Sequence, residues 1–329
     1  MADAILAGDV GGTKSHLGLY RRDGHTLTLV RDELYRTPEF SSVEEIAVRF
    51  LGPDHGVRAA CFGVPGLVIH GRSQATNIPW TIDEASIARA LGGTPTRLVN
   101  DLVATGYGVI HLDSPDLAIL QRGTLDADGF NIAVIAAGTG LGEAALVAQG
   151  GGRFIAVASE GGHADFAPRG AEQIALLSHL AQEFDHVSFE RVCSGPGLFN
   201  IYRFMRQASA DREPAWLTAQ LNGDDPPAAI SEAALAGRDP VCVRALAMFI
   251  DIYAAEAANL VLKYRALGGV YLGGGIAPKI LPALQDGRFL RSFRDKGRMS
   301  EVLGKIGVMV SLNPAAALNG AAHLAAELI

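Results

Sequence analysis

Cysteine is scarce in this sequence of 329 residues: Cys61, Cys193 and Cys242 are far apart, and no Cys-x-x-Cys pair occurs. This spacing argues against a disulfide framework and against a zinc site. The residues around Asp3 form only a very short apolar run and carry no cleavable signal. We therefore expect a reduced, cytoplasmic protein.

Positive charge is also limited, with 28 Lys and Arg against 35 Asp and Glu, a net charge of −7. The basic residues are scattered, which argues against a nucleic-acid partner and against a polybasic membrane patch. No uncharged run approaches the roughly 20 residues that a membrane span needs. We expect neither nucleic acid nor membrane among its partners.

What the sequence does contain is 49% hydrophobic and 19% charged residues, a composition typical of a globular protein. A chain of 329 residues is long enough for two domains with substantial cores. Regions rich in strand patterns are followed by helical patterns, twice along the chain. This order predicts two α/β lobes, each with a mixed sheet flanked by helices.

An internal repeat is the most informative feature. A shift of 128 residues places Gly12 on Gly140 and Gly24 on Gly152, with apolar positions matching between them. Each copy predicts a strand, a glycine turn, a second strand, a tight turn and a third strand. We expect the two lobes to face each other across a cleft, with one glycine turn of each copy holding a polyphosphate. The pattern favours phosphoryl transfer or nucleotide hydrolysis.

The other predicted elements place the polar motifs. Strands are expected at residues 4–10, 15–21, 27–35, 57–64, 97–99, 270–272 and 307–312, with a second meander over residues 131–159. A long helix is expected over residues 240–265, ending at Gly268-Gly269, and a last helix over residues 314–328. Residues 208–237 are rich in Pro, Gly, Asp and Ala and predict a loop with at most a short helix.

The glycine turns are Gly11-Gly12-Thr13 and Gly138-Thr139-Gly140. Phosphate oxygens need backbone N–H donors at close range, and glycine removes the Cβ that would block the approach. Each threonine adds a hydroxyl donor. The alternative is a pair of ordinary hairpin turns. Neither turn is a Walker motif.

Three carboxylates or amides follow predicted strands. Asp9 ends a buried strand, where a carboxylate is costly unless a cation such as nucleotide-bound Mg²⁺, or turn N–H groups, balance it. Asn100-Asp101 lie where a strand passes into a helix, a common ligand position in α/β sheets. Asp101 is a candidate base for an attacking hydroxyl, and Asn100 a candidate hydroxyl ligand. Either residue can also cap the helix.

Further polar groups follow the second meander. Glu160 and His163 flank a Gly-Gly bend and could together bind a polyol, although a structural histidine or a metal pair lacking a third ligand are alternatives. Glu190 is another hydroxyl acceptor, a favourable first-turn acid, or a partner of Arg191. The Gly273-Gly274-Gly275 run is either a wall for an adenosine ring or a plain strand-to-helix loop.

Together these motifs resemble the bacterial glucokinase family, within the sugar kinase and actin-like ATPase superfamily. The resemblance covers nearly the whole chain, and its most specific parts are Ser159-Glu160-Gly161-Gly162-His163 and residues 190–197. The other matching stretches are residues 8–13, Thr76-Asn77 with Trp80, Asn100-Asp101, and residues 138–142 and 273–276.

The resemblance implies a two-lobed actin-like ATPase (ribonuclease H-like) fold with an active-site cleft. It implies a small α/β domain of residues 1–112 plus 313–329, a large one of residues 113–312, and a homodimer. It also implies transfer of phosphate from ATP, with Mg²⁺, to the 6-hydroxyl of glucose, the first step of glycolysis. The implied sugar ligands are Asn77, Asn100, Asp101, Glu160, His163 and Glu190, with Asp101 as the base. The implied nucleotide ligands are Gly8, Asp9, Gly11, Gly12, Thr13, Gly138, Thr139, Gly140, Gly274 and Gly275, with Asp9 near Mg²⁺.

Some features depart from that pattern. Lys14 stands where some members carry Asn, and Gly63-Val64-Pro65-Gly66 resembles the related repressor–kinase family. The cysteine cluster and the N-terminal helix-turn-helix of that family are missing from the sequence, which favours the glucokinase branch. The alternatives are a kinase for mannose, another hexose or an N-acyl amino sugar, an actin-like ATPase or chaperone, and a non-catalytic sugar sensor.

Overall fold

The computed structural model describes residues 3–53, 55–74, 78–125, 129–210 and 212–329. Two compact units divide the chain. Unit 1 comprises Met1–Ser114, Ala156–Ala158 and Asn313–Ile329, and unit 2 comprises Pro115–Ile155 and Ser159–Leu312.

Unit 1 is built on a five-stranded sheet. Its elements before the C-terminal segment are β1 (Asp3–Val10), β2 (Lys14–Asp23), β3 (Thr26–Arg36), α1 (Val43–Leu51), β4 (Val57–Val64), β5 (Val68–Ile69), β6 (Arg72–Ser73), β7 (Ile82–Asp83), α2 (Glu84–Ala90), β8 (Thr96–Asn100) and α3 (Asp101–Val109). The strand order is β3-β2-β1-β4-β8, and β5-β6-β7 form a separate small sheet. Strands β1 to β3 pair antiparallel, whereas β1, β4 and β8 are parallel.

The core of unit 1 explains why β1 and β4 are almost continuously apolar. Leu6 and Phe62 pack with Val43 and Ile46 of α1, and α2 contributes Ile87 to the same cluster. Parallel strands covered by helices are buried on both faces, so they need apolar residues at successive positions. Helix α3 and the C-terminal helix also contact β4.

Unit 2 is built on a six-stranded sheet. Its elements are β9 (Leu117–Gln121), β10 (Ile132–Ala137), β11 (Leu141–Gly150), β12 (Arg153–Ser159), α4 (Gly170–Leu180), α5 (Gly195–Gln207), α6 (Ala215–Leu221), α7 (Pro226–Leu235), α8 (Pro240–Tyr264), β13 (Gly269–Gly273), α9 (Ile276–Lys279), α10 (Leu281–Leu284), α11 (Arg288–Arg294), α12 (Ser300–Leu303) and β14 (Val308–Ser311). The C-terminal helix, α13 (Ala316–Ala326), belongs to unit 1. Short 3-10 helices occur at Thr37–Glu39, Ser114–Asp116, Gly161–His163 and Gly297–Met299.

The strand orders confirm the internal repeat. Unit 2 has the order β12-β11-β10-β13-β14-β9, of which the first five strands match β3-β2-β1-β4-β8 of unit 1. In both sheets the second and third strands pair antiparallel, and the third, fourth and fifth strands are parallel. Strand β9 is an antiparallel addition at one edge. The predicted α/β class with mixed sheets and flanking helices is confirmed.

Helix α8 differs from its prediction at the C-terminal end. The helix stops at Tyr264 because Arg265 adopts a left-handed conformation with φ of 50°, so Gly268-Gly269 do not form the cap. Only Gly and a few polar residues adopt this conformation often, so an arginine cap gives no sequence signal. The loop expected over residues 208–237 is also wrong, because α6 and α7 lie there.

Within the part of the chain that the structure describes, α8 is the one helix that is long and apolar enough to cross a membrane, judged by length and composition alone. However, 78% of its most apolar 18-residue window is buried inside the structure. Its buried side chains, among them Phe249, Ile252 and Tyr253, belong to the main core of unit 2. Burial within the unit accounts for its apolar character.

Helix α13 packs closely on α3 within unit 1. A Cβ added to Gly108 of α3 would overlap the carbonyl group of Ala316, and one added to Gly320 would overlap that of Ala104. At the far end of this contact the rings of His111 and His323 stack with centroids 3.6 Å apart. Burial, with a smaller contribution from His111, lowers the pKa of His323 to about 4.

This histidine pair predicts a loss of stability in acid. Because the pKa of His323 is about 4 in the folded chain and 6.5 in its ordinary state, the unfolded chain binds the extra proton first. Stability present above pH 6.5 should therefore decline as the pH falls from 6.5 towards 4. We expect the drop in Tm between pH 7 and pH 5 to be smaller in His323→Gln, measured by circular dichroism. Equal drops in the two proteins would contradict this assignment.

Candidate active site

In unit 1 the candidate residues collect at the carboxyl ends of the parallel strands. The register places Asp9 of β1 beside Gly63 of β4, and Gly63 beside Val99 of β8. Asn100 ends β8 and Asp101 begins α3. Because neighbouring strands lie about 4.8 Å apart, Asp9 and the end of β8 are separated by about 10 Å across the sheet. The fold thus places Asp9, Asn100 and Asp101 at the same edge.

Asp9 has the electrostatic character expected of a cation ligand. Burial raises the pKa of its carboxyl group, and His16 on the paired strand opposes that shift. Its carboxylate makes no hydrogen bond or ion pair with any residue that the structure describes. The backbone N–H of Gly11, one of its possible caps, instead donates to the carbonyl oxygen of Lys14 at 2.9 Å. A half-buried carboxylate without a partner among these residues fits Mg²⁺.

Two hydrogen bonds from Thr37 hold the first glycine turn. The backbone N–H of Thr37 donates to the carbonyl oxygen of Thr13 at 3.1 Å, and its hydroxyl donates to that of Gly11 at 2.7 Å. Both bonds hold the turn in place while Thr13 itself is exposed. Gly8 has a different explanation, because a Cβ there would overlap the ring of Phe62. The packing of the core is therefore a sufficient reason for glycine at position 8.

Asn100 caps α3 as the sequence allowed. Its Oδ1 accepts the backbone N–H of Leu102 at 2.9 Å, and its Nδ2 donates to the carbonyl oxygen of Gly66 at 3.1 Å. The Asp101 Oδ1 also accepts the Leu102 N–H at 2.9 Å, and the side chain is half-buried. The N-terminus of a helix favours a negative charge. Asp101 is therefore a fixed carboxylate at the helix start rather than a mobile surface acid.

In unit 2, hydrogen bonds between two separate segments bring Glu160, His163 and Glu190 together. Residues 162–166 and 187–190 run side by side. The backbone N–H of Glu190 donates to the carbonyl oxygen of Gly162 at 2.9 Å, and that of Phe189 donates to Ala164 at 3.0 Å. Glu160 and His163 are exposed on the 3-10 turn, and Glu190 is half-buried. Three polar side chains carried by these two paired segments could contact one polyol.

Glu190 is also attached to the second glycine turn. Its Oε2 accepts the backbone N–H of Leu141 at 2.9 Å, and a Cβ on Gly140 would crowd the same oxygen. Arg191 does not pair with it but lies over the ring of Phe184, 4.1 Å from the centroid. The ion-pair alternative for Glu190 is therefore wrong. Its side chain binds the glycine turn, and its backbone N–H binds Gly162 of the Glu160-to-His163 segment.

A cavity of about 370 Å³ lies wholly within unit 2. The second glycine turn and the start of α9 form part of its wall. The lining residues are Gly138, Thr139, Gly195, Pro196, Leu198, Asp225, Pro227, Ala228, Ser231, Gly275, Ile276, Lys279 and Ile280. The turn itself is fixed by two bonds, from the N–H of Gly138 to Gly140 and from the N–H of Gly195 to Gly138. Pockets of this size and mainly apolar lining bind small organic ligands.

The two glycines of the predicted adenosine wall differ in their surroundings. Gly275 lines the cavity, and a Cβ there would have no neighbour within 4 Å. Gly274 has φ of +77°, and a Cβ there would overlap the carbonyl group of Ala137. Glycine at position 274 is thus required by the backbone, whereas position 275 leaves space open to a ligand.

Two further expectations concern Asn77 and the metal-pair alternative for Glu160 and His163. Asn77 lies outside the described residues. The Glu160 and His163 pair lacks the further ligand that a metal site requires, and no cluster of three His, Cys, Asp or Glu occurs within the described ranges. Sequence reasoning missed Asp225, Ser231 and Lys279 at the cavity. The Asp225-Pro226-Pro227 run, a cap followed by prolines, was the signal that a helix starts there.

Comparison with known proteins assigns the family. A family profile described as Glucokinase matches residues 6–328. The chain is 39% identical to a glucokinase of Synechocystis sp. over 348 aligned positions, covering 98% of each chain. It is 40% identical to a glucokinase of Nostoc sp. over 342 positions, covering 98% of this chain and 99% of the relative. The crystal structure of a glucokinase from an Antarctic psychrotroph superimposes with a TM-score of 0.84 at 31% identity, covering 99% of both chains. Sequence, fold and full-length similarity agree that the chain belongs to the glucokinase family.

Proposed function

We propose that this chain transfers the γ-phosphoryl group of ATP to the 6-hydroxyl of glucose, giving glucose 6-phosphate, the first step of glycolysis. The observation that carries the proposal is the match to the glucokinase family over residues 6–328, which include every candidate residue named above. The cavity of unit 2 supports the nucleotide part, because it joins a glycine turn to an open wall at Gly275.

For the acceptor, the proposed ligands of the sugar hydroxyls are Asn100, Glu160, His163 and Glu190, with Asn77 as a further one. Each buried hydroxyl needs one donor and one acceptor, and carboxylates, amides and imidazoles together supply both. A site of this kind rejects a deoxy sugar because the missing hydroxyl leaves protein groups unpaired.

Asp101 is the proposed base. It accepts the proton of the 6-hydroxyl as the oxygen attacks the γ-phosphorus, and the bond to the β-phosphate oxygen breaks to release ADP. Because the transition state of phosphoryl transfer is loose, the protein contributes mainly alignment and charge stabilisation. A carboxylate fixed at the start of α3 meets both needs, since its backbone is held by the helix and its side chain by Leu102.

For the donor, we assign the phosphates to the two glycine turns and the adenosine to the cavity. The assigned residues are Gly8, Gly11, Gly12 and Thr13 in unit 1, and Gly138, Thr139, Gly140, Gly274 and Gly275 in unit 2. Of these, Gly8, Gly140 and Gly274 also have packing reasons to be glycine. Asp9 would hold Mg²⁺, directly or through water, and the ion would neutralise charge on the phosphates.

The decisive assay detects ADP by a coupled enzyme with glucose, mannose and N-acetylglucosamine supplied separately, and with no sugar as the blank. We expect rapid ADP release with glucose and little in the blank. Faster turnover with another sugar would identify that sugar, and not glucose, as the substrate. Equal ADP release in the blank would indicate a simple ATPase.

A graded substitution at Gly275 tests the nucleotide assignment. Because Gly275 lines the cavity and a Cβ there would have no neighbour within 4 Å, we expect Gly275→Ala to raise the KM for ATP a few-fold and Gly275→Leu about tenfold or more. The KM for glucose and the Tm should change little in both. An unchanged KM for ATP in the leucine variant would contradict the assignment of the adenosine to this cavity.

We further propose that the chain is a cytoplasmic homodimer whose small domain is residues 1–112 plus 313–329 and whose large domain is residues 113–312. The free, buried state of Cys61, Cys193 and Cys242 is consistent with a reducing compartment. Light scattering of the purified protein tests the dimer, and a monomer mass at micromolar concentration would contradict it.

A further inference from the structure

A buried acid lies beneath the turn that carries Glu160 and His163. Glu143, on β11, is only 1% exposed, although carboxylates are almost never fully buried without a partner. Neither of its side-chain oxygens has a hydrogen-bond partner among the residues that the structure describes. The register pairs Glu143 with Ile135 of β10, so it lies in the interior of the sheet rather than at an edge.

On one side, the Glu143 carboxyl group contacts the 3-10 turn. A Cβ added to Gly161 would overlap the Glu143 Oε2 and would also approach the hydroxyl of Ser159. That hydroxyl accepts the backbone N–H of Gly161 at 2.9 Å. Gly161 therefore rests directly on the acid, one residue after Glu160 and two before His163.

Helix α8 and the segment before α5 supply the other charged and titratable neighbours. Glu256 of α8 is fully buried, and its oxygens accept from Lys263 Nζ at 3.1 Å and Asn259 Nδ2 at 2.7 Å. Lys296 donates to Asn259 on the outer side of this group. Cys193 is buried nearby as a thiol, because burial and then Glu143 and Glu256 raise its pKa.

These neighbours leave no counter-charge close enough to balance an ionised Glu143. Burial, and after it the Glu256 carboxylate, raise the pKa of Glu143 to about 8, while Lys263 opposes the shift. Lys263 already pairs with Glu256. At pH 7 the group is therefore an uncharged acid packed against backbone, whereas an ionised one would need water or a new partner.

We propose that Glu143 is a positioning residue for glucose binding, and that its uncharged carboxyl group supports Gly161 and so fixes the turn bearing Glu160 and His163. The inference rests on the proposed function, because Glu160 and His163 are assigned there as sugar ligands. An ionised Glu143 is repelled by Glu256 and needs water or a new partner, so the turn packed against its Oε2 must shift. The turn then loses the geometry that binds the sugar.

The first test follows the KM for glucose from pH 7 to pH 9.5 in wild type and in Glu143→Gln. Above the pKa of Glu143 the wild-type KM should rise by up to about tenfold per pH unit, with a smaller effect on kcat. The glutamine variant has the same shape and no proton to lose, so its KM should stay near the wild-type value at pH 7 and remain flat. A flat wild-type profile, or an equal rise in both proteins, would overturn the inference.

A second variant separates this group from other alkaline titrations. Glu256→Gln removes the neighbouring negative charge and releases Lys263, and both changes lower the pKa of Glu143. The rise in KM should therefore begin at a lower pH than in wild type. A rise displaced to higher pH would contradict the role of this pair.

A steric test does not depend on pH. Gly161→Ala places a methyl group against the Glu143 carboxyl group, so the KM for glucose at pH 7 should rise. Adding Glu143→Ala removes the obstruction and should recover much of the loss, whereas adding Glu143→Gln should not. Equal KM values in the two double variants would overturn the contact, with the Tm of each recorded to show that it folds. A wild type without glucose phosphorylation at pH 7 would instead overturn the proposed function.

Discussion

Replacing Asp101 with asparagine is expected to reduce kcat by about 10²- to 10⁴-fold, the usual contribution of a general base. Asparagine retains an oxygen that can accept the Leu102 N–H, so the start of α3 should remain intact. What it loses is the ability to take a proton from the sugar hydroxyl. Glucose binding should consequently change only a few-fold, since the hydroxyl can still donate a hydrogen bond to the amide oxygen.

The measurement is a steady-state assay of ADP release combined with glucose binding by calorimetry. Asp113→Asn is the matched control, because Asp113 is an exposed carboxylate of the same unit, beyond the other end of α3. The control should keep wild-type kcat. If the Asp101 variant also keeps most of its kcat, the proton has another acceptor. If it loses glucose affinity and kcat together, Asp101 acts mainly in sugar binding.

The parts of the fold that sequence predicted well are those fixed by local chemistry. The repeat around Gly12 and Gly140 predicted the two meanders because strands and tight turns depend on neighbouring residues. Asn100 was expected as a cap and is one, because the strand before it and the helix after it are both evident in the sequence. Family membership followed from motifs that keep their spacing along the chain.

Features that depend on distant contacts could not be predicted. The pairing of residues 162–166 with residues 187–190 joins Glu160 to Glu190 through loop backbone, which has no hydrophobic period. Asp225 reaches the cavity only because α7 forms where composition favoured a loop. Glu143 occupies a strand position that a polar side chain normally takes only when it faces solvent, yet it is buried and lies near Glu256 of the sequence-distant α8.

The largest loss of stability should come from Asp239→Ala. Asp239 caps α8, and its Oδ1 accepts the backbone N–H of Cys242 at 2.8 Å. Its Oδ2 accepts from Arg206 Nη2 at 2.7 Å, and the two side chains are 3% and 13% exposed. Removing one partner of a buried pair costs about 3–5 kcal/mol because the remaining charge is unpaired. Loss of the cap adds about 1 kcal/mol for a helix that forms the centre of the unit 2 core.

Urea denaturation followed by circular dichroism measures this change, with Asp225→Ala as the control. Asp225 caps α7 in the same way but is exposed and forms no ion pair with the residues that the structure describes, so its loss should cost only about 1 kcal/mol. Asp239→Asn keeps the cap and should fall between the two. Similar losses in the alanine variants at positions 239 and 225 would show that the Arg206 pair contributes little.

A double variant distinguishes the value of the pair from the cost of breaking it. Arg206 also donates to the hydroxyl of Tyr202 at 3.0 Å, and its Nη1 is buried without a partner among the described residues. The guanidinium is thus incompletely satisfied even in wild type. Replacing Arg206 with methionine in the Asp239→Asn background removes both charges and retains the cap. Since apolar replacement of a buried ion pair is often neutral or stabilising, this protein should be more stable than Asp239→Asn alone. A further loss instead would mean that Arg206 is held mainly by Tyr202 and the helix packing, and that the carboxylate serves chiefly as the cap.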